Sequence, residues 1–221
     1  MISIKETIKN INIFTHLEDN EIEKIVDISH LCKFEKNAIL HYELDITEKL
    51  FFLIEGLVKV YKIDKYDNEI FLYYIYPNTM ISELSTLNNN SKIKCFSNAE
   101  FSEDSIILEI NFQKFQEEFL DTNELIKKFM EELIYKNKQL QCIVNRELVF
   151  DATSKVAYML TNDLKMFNQH KRNQVALMLH IQPETLSRVL KKLVRNEIIT
   201  IDKSAVTIKD QEALDNIYLG I

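Results

Sequence analysis

The sequence predicts an α+β chain in three parts: a β-roll over residues 1–120, a long helix and hinge over 121–150, and a winged helix-turn-helix over 151–221. Three observations predict it. From about Cys32 to Ile110 the chain is built of short runs rich in β-branched and aromatic residues, which favour a pleated, half-buried surface. From Asn111 the apolar residues recur at helical spacing instead. Near the C-terminus two short apolar helices meet at a tight turn, and a pair of short strands follows.

The roll is read from its runs and its turns. Leu50 to Ile54, Leu57 to Ile63, Ile70 to Tyr76 and Ser105 to Ile110 are expected strands. Glu55-Gly56, the polar stretch Asp64 to Asn68, Pro77-Asn78 and Asn88-Asn89-Asn90 separate them as turns. Many short strands joined this way suggest a small barrel or jelly roll. Ahead of them, Ile22, Ile25, Val26 and Ile28 after Glu18-Asp19-Asn20 suggest a short amphipathic helix that caps the roll.

A long helix is expected from about Thr122, with Leu125, Phe129, Leu133, Leu140, Ile143 and Val144 on its apolar side. That side is broad for one exposed segment, so it packs on the roll, on another subunit, or on both. Pairing with a second copy is the economical reading. Phe150-Asp151 interrupts the pattern, and Ala152 to Phe167 resumes it as a further helix, which puts a hinge between them.

The richest segment runs from Arg172 to Thr200. Val175, Ala176, Leu179, Ile181, Leu186, Val189, Leu190 and Leu193 form an apolar set that changes phase at His180, as two helices meeting at a turn require. Pro183 falls in the first turn of the second helix, where its missing N–H does no harm. His180 sits where the backbone turns left-handed, at a cost of ~1 kcal/mol for a residue other than glycine. With the apolar residues inward, Gln182, Glu184, Thr185, Ser187, Arg188, Lys191 and Lys192 face out. Such groups can read base edges and phosphates in a major groove. Glu184 can accept from a cytosine amino group, and Arg188 can donate a bidentate pair to guanine. Lys191, Lys192 and Arg195 suit phosphates, which position without specifying, and Arg172 and Lys203 are further candidates to bind DNA. Ile198 to Ile201 and Val206 to Ile208, about the turn Asp202-Lys203-Ser204, complete a wing.

Charge agrees with this division. From Lys171 to Lys203, seven basic residues oppose three acids, so the segment is +4 while the rest of a −7 chain carries −11. A basic head on an acidic body fits double-stranded DNA as the partner. No apolar run approaches the ~20 residues that span a bilayer, and Met1 to Asn10 alternates charge with isoleucine. No membrane partner is therefore expected, and the expected location is the cytoplasm. Cys32, Cys95 and Cys142 lie too far apart for a zinc or iron–sulfur motif, so reduced thiols are expected.

The segment PETLSRVLKKL with the following NEII, the strand pair FFLIEGLVKVYKID, and ISEL at Ile81 to Leu84 together resemble the CRP/FNR family of bacterial regulators over essentially the whole chain. The resemblance implies a homodimer with a cyclic-nucleotide-binding-like sensor roll, a central helix pairing the subunits, and winged helices on a palindromic site. An activator of this type would also meet RNA polymerase. Glu184, Ser187 and Arg188 match the Glu-x-x-Ser-Arg spacing of the FNR-like branch, which implies a half-site like TTGAT. The effector pocket is implied at Ser82, Glu83 and Leu84, with Lys92 and Lys94 as the nearest cations. Departures from the pattern argue against cyclic AMP, because Ser82 replaces a glycine and Ser91 to Phe96 contains no arginine. The cysteine cluster of iron–sulfur members is also missing. Haem sensing of NO, O2 or CO stays open, since His16, His30 and His41 lie in the sensor half, although no spacing marks an axial ligand. A third reading is a cyclic-nucleotide-binding adaptor that contacts protein and not DNA. An enzyme is not expected: cupin-like chemistry needs clustered ligands, the five histidines are scattered, and the only glycines are Gly56 and Gly220.

Overall fold

A computed structural model describes residues 3–84, 92–121 and 125–219, with the side chain at 146 outside that description. The chain forms two compact units, Met1–Asn137 and Lys138–Ile221. The turn expected at Asn88-Asn89-Asn90 and the helix start expected at Thr122 lie outside the described residues.

The first unit opens with α1 (Ile4–Lys9) and α2 (Asp19–Asp27). Glu21 accepts the backbone N–H of Glu18 at 2.7 Å and so caps α2. The helix buries Ile22 and Ile25, as the sequence pattern requires. Among the described residues ten strands follow: β1 (Ser29–Phe34), β2 (Ile39–His41), β3 (Ile46–Thr47), β4 (Lys49–Glu55), β5 (Val58–Ile63), β6 (Glu69–Ile75), β7 (Thr79–Met80), β8 (Ile93–Lys94), β9 (Asn98–Phe101) and β10 (Ser105–Asn111). Two antiparallel sheets, in the orders β1-β10-β4-β7 and β2-β9-β5-β6, form the roll, and β3 pairs with β8. The four expected strands are β4, β5, β6 and β10.

Strand β4 shows why its sequence is a continuous apolar run. Phe51 and Leu53 pack between the two sheets with Val60, Phe101 and Ile107, whereas Leu50 and Phe52 face a second cluster under the helices. Both faces of the strand are therefore buried. Gly56 makes the β4–β5 turn with φ 98°, and a Cβ there would stand 2.1 Å from Ser105 Oγ. After β10, α3 (Phe112–Phe115) and a π-helical turn (Gln116–Leu120) bring Phe115 and Phe119 to ring centroids 5.3 Å apart, and Phe115 also meets Phe14 and Phe129. Then α4 (Ile126–Leu148) runs across the boundary of the two units.

The second unit continues with α5 (Ala152–Gln169), capped by Asp151, whose carboxylate accepts the Ser154 N–H at 2.7 Å. Next come α6 (Arg172–Met178), α7 (Pro183–Arg195), the hairpin β11 (Ile199–Asp202) and β12 (Ala205–Ile208), and α8 (Gln211–Leu219). Val156, Leu160, Phe167, Val175, Leu186, Leu193, Val206 and Leu214 form its buried interior. No described helix is long and apolar enough to cross a membrane.

Candidate nucleic-acid interface and effector site

Helices α6 and α7 meet through a turn in which His180 has φ 51°, the left-handed conformation its position demands. Leu186, Val189, Leu190 and Leu193 of α7 are buried, as are Val175, Ala176 and Leu179 before it, and Ile181 is half-buried. With that face fixed, Gln182, Glu184, Ser187, Arg188, Lys191 and Lys192 are exposed and Thr185 is half-exposed. Arg188 Nη2 donates to Thr185 Oγ1 at 3.2 Å, which holds both side chains near the N-terminal end of the helix. Pro183 occupies the first turn.

The hairpin turn carries Lys203 and Ser204 at φ 45° and 82°. Positive φ at both central residues matches the twist of a two-residue hairpin. Lys203 is exposed at its tip. Arg172 is placed differently from a free phosphate ligand: its Nη2 donates to the Ser204 carbonyl at 2.5 Å, and its guanidinium carbon lies 4.5 Å from the Phe167 ring centroid. The residue therefore anchors the wing. A groove of about 670 Å³ between α6, α7 and β11 is lined by Arg172, Ser187, Leu190, Lys191, Arg195 and Ile201.

Residues not found from the sequence also set this geometry. The Asn168 carboxamide accepts the Val206 N–H at 2.8 Å and donates to the Val206 carbonyl at 2.9 Å, so a side chain of α5 pairs with β12 as a strand would. Glu147, in the last turn of α4, lies 3.0 Å from His180 Nδ1 and 3.4 Å from Lys155 Nζ. It ties the turn between α6 and α7 to the end of α4 and the start of α5. A polar residue flanking an apolar stripe signals no partner from sequence, and only the fold supplies one.

In the roll, Ser82 is buried and its hydroxyl accepts the Phe51 N–H at 2.9 Å. It extends the pairing of β7 with β4. Glu83 accepts the Phe96 N–H at 2.8 Å, the Ser97 hydroxyl at 2.9 Å and the Tyr73 hydroxyl at 3.5 Å. Burial and the nearby Glu83 carboxylate push the Tyr73 phenol far above its usual value, so it stays a donor. Leu84 packs on the helix-side core. Lys92 and Lys94 are exposed, and Lys92 Nζ is 4.0 Å from Glu48. The structure thus gathers Ser82, Glu83 and Leu84 without the two lysines. Lys136 of α4 reaches the cassette in their place, its Nζ 3.5 Å from the Ile81 carbonyl.

His16 and His30 are exposed, and His41 is buried, its Nδ1 without a hydrogen-bond partner among the described residues. Among the described residues no group of three or more His, Cys, Asp or Glu side chains is arranged to hold a metal ion. Burial raises the Cys95 thiol to about 11, helped by Glu83 and Asp45, and it raises Cys32 as well. Of the six residues expected to pair subunits, Leu125 and Phe129 are buried in the core of the first unit; Leu133 and Ile143 are half-buried, and Leu140 and Val144 are exposed.

A family model of the cyclic nucleotide-binding domain matches residues 31–122, and one of the Crp-like helix-turn-helix domain matches residues 163–217. No curated protein matches the chain. Among solved structures, a CooA mutant from Carboxydothermus hydrogenoformans is similar at 20% identity and a TM-score of 0.71, over 88% of this chain and 89% of that one. FixK2 from Bradyrhizobium japonicum is similar at 14% identity and 0.65, over 86% and 97%. The c-di-GMP responsive global regulator CLP from Xanthomonas campestris is similar at 15% and 0.61, over 86% and 99%. These likenesses show the fold. Because the two domain models match in this order on either side of α4, the chain belongs to the CRP/FNR family of transcription regulators, which are not enzymes.

Proposed function

We propose that this regulator acts as a homodimer on a palindromic DNA site with TTGAT-like half-sites, under the control of an effector in the β-roll that is not cyclic AMP. The observation that carries the reading is the face of α7. Glu184, Thr185, Ser187 and Arg188 project from the first two turns while every large apolar residue beneath them is buried. The N-terminal half of a recognition helix needs that polarity in the major groove. Lys191 and Arg195, along the groove beside the helix, and Lys203 on the wing would meet backbone phosphates. Arg172 would act by holding the wing. The sequence boundaries at 120 and 150 mark sensor, pairing and reading segments in this account.

The cassette supports the exclusion of cyclic AMP. Glu83 already has three donors, and the exposed Lys92 and Lys94 stand outside the hydrogen bonds that gather Ser82 and Glu83. The similar CLP is described as responsive to c-di-GMP, a different ligand. Binding of labelled duplexes tests the division of labour on α7. Arg188→Ala is expected to abolish preference for the best site over a scrambled one, a loss of ~1–3 kcal/mol per contacted base pair. Lys191→Ala should weaken all duplexes about equally and reduce the salt slope by about one. Equal effects of both changes on every duplex would overturn the assignment, and salt-insensitive binding would favour the protein-contacting adaptor.

A further inference from the structure

The homodimer reading leaves open which face of α4 meets the second copy and what fixes its register. The structure separates two faces of that helix. Leu125 and Phe129 are buried within the first unit, and Lys136 and Glu132 lie on the same side, with Lys136 reaching the Ile81 carbonyl. Beside the exposed Ile134 and Tyr135, a different set of six is left open: Ile126, Met130, Leu140 and Val144 are exposed, Leu133 is half-buried, and Asn137 is exposed among them.

These six residues follow one another at alternating steps of four and three along α4. That alternation is the repeat of a two-stranded coiled-coil seam, in which each knob enters a hole on the facing helix. A single α-helix packed on a globular surface has no need of it, since its stripe drifts at the helical period. The seam holds no charge from Ile126 to Val144, so the surface that complements it is another neutral seam of the same spacing. Asn137 is its one polar member, and it falls midway. A carboxamide both donates and accepts, so it can bond to its own copy across a two-fold axis. Shifted by a heptad or turned antiparallel, it would face leucine, methionine or valine and lose its hydrogen bonds on burial.

We infer that Asn137 pairs with the Asn137 of a second copy at the centre of a parallel seam made by Ile126, Met130, Leu133, Leu140 and Val144, and that this polar pair sets the register of the dimer. The inference rests on the homodimer reading. It keeps Leu133, Leu140 and Val144 of the pairing residues expected from the sequence and leaves out Leu125 and Phe129, which belong to the subunit's own core. The seam ends at Val144, since Glu147, one step further, turns to His180 and Lys155.

The test is the dimer dissociation constant of the full chain by analytical ultracentrifugation, for the wild type, Asn137→Val and Asn137→Asp. Replacing the buried amide by valine should tighten the dimer by roughly tenfold, since the desolvation of the amide is removed. Asn137→Asp has the same shape but places two carboxylates together, and should weaken the dimer by roughly a hundredfold. Val144→Cys should cross-link to itself in the wild-type background under mild oxidant, as a parallel in-register seam requires. Dissociation constants of both Asn137 variants within about twofold of the wild type, with a wild type that still dimerises, would overturn the role of Asn137. A wild type that sediments as a monomer at every concentration would instead overturn the homodimer reading beneath it.

Discussion

The contact of Glu147 with His180 invites a double-mutant cycle, because His180 makes two opposing contributions to stability. His180 holds φ 51°, so His180→Gly relieves ~1 kcal/mol of backbone strain. The same change deletes a bond of 3.0 Å to a carboxylate, with side-chain exposures of 21% and 30%. A hydrogen bond to a charged group contributes about 1.5–3 kcal/mol, and partial exposure reduces it to the lower half of that range. The single change His180→Gly should therefore shift stability little. Glu147→Ala should cost more, because Lys155, almost fully buried and 3.4 Å away, also loses its partner. In the His180→Gly background that loss reduces to the Lys155 share, leaving a coupling of about 1–2 kcal/mol. Hydrogen exchange of the amides of residues 172–195 in the full chain reads the coupling locally. Glu147→Ala should also weaken every DNA duplex about equally, since it loosens the turn without touching a base-reading side chain. Free energies that add to within about 0.3 kcal/mol would refute the link between α4 and the turn.

Three further outcomes follow from the geometry. Gly56→Ala should destabilise the roll by more than ~1 kcal/mol in urea unfolding, because its Cβ would collide with Ser105 and the Asp104 carbonyl at a φ of 98°; an unchanged midpoint would contradict the turn. Asn168→Ala strips two hydrogen bonds from β12 and should speed exchange of the Val206 amide, at a cost of about 1–3 kcal/mol, and unaltered protection there would show that the wing needs no such anchor. Burial holds the His41 imidazole below its ordinary value of 6.5. The folded roll therefore prefers the neutral ring: its stability is full above 6.5 and is lost as pH falls from there through the depressed folded value. His41→Phe should flatten that acid limb of the unfolding midpoint, and a limb that keeps its slope in the variant would assign it to other groups.

Much of the fold was legible because its signals are periodic. The strands at Leu50, Leu57, Ile70 and Ser105 and the helices on either side of His180 reveal themselves by spacing, and the left-handed His180 was expected from the turn alone. The strands β2, β3, β7 and β8 were not legible, since strands of two or three residues are fixed by their neighbours and not by their own pattern, and the longer β1 and β9 were missed as well. The exposed row on α7 was read correctly for the same periodic reason. What failed to show was partnership. Arg172 looked like a DNA-binding side chain, whereas its guanidinium meets the Ser204 carbonyl and Phe167. Leu125 and Phe129 looked like interface until the phenylalanine cluster enclosed them. Lys92 and Lys94 looked like effector cations by nearness in sequence, whereas Lys136 reaches the cassette from another element. An apolar or charged residue declares its class in the sequence, but only the tertiary fold declares which surface it meets.

The central claim is that α7 reads DNA in a two-fold pair, and in vitro selection of duplexes on the purified full-length protein tests it most directly. The expected result is an enriched palindrome whose half-sites resemble TTGAT and lie about one helical turn, ~10 base pairs, apart centre to centre. Selection with cell extract present shows whether an effector must first occupy the roll. A pool that stays random with and without extract, at low salt where phosphate contacts are strongest, would contradict the account.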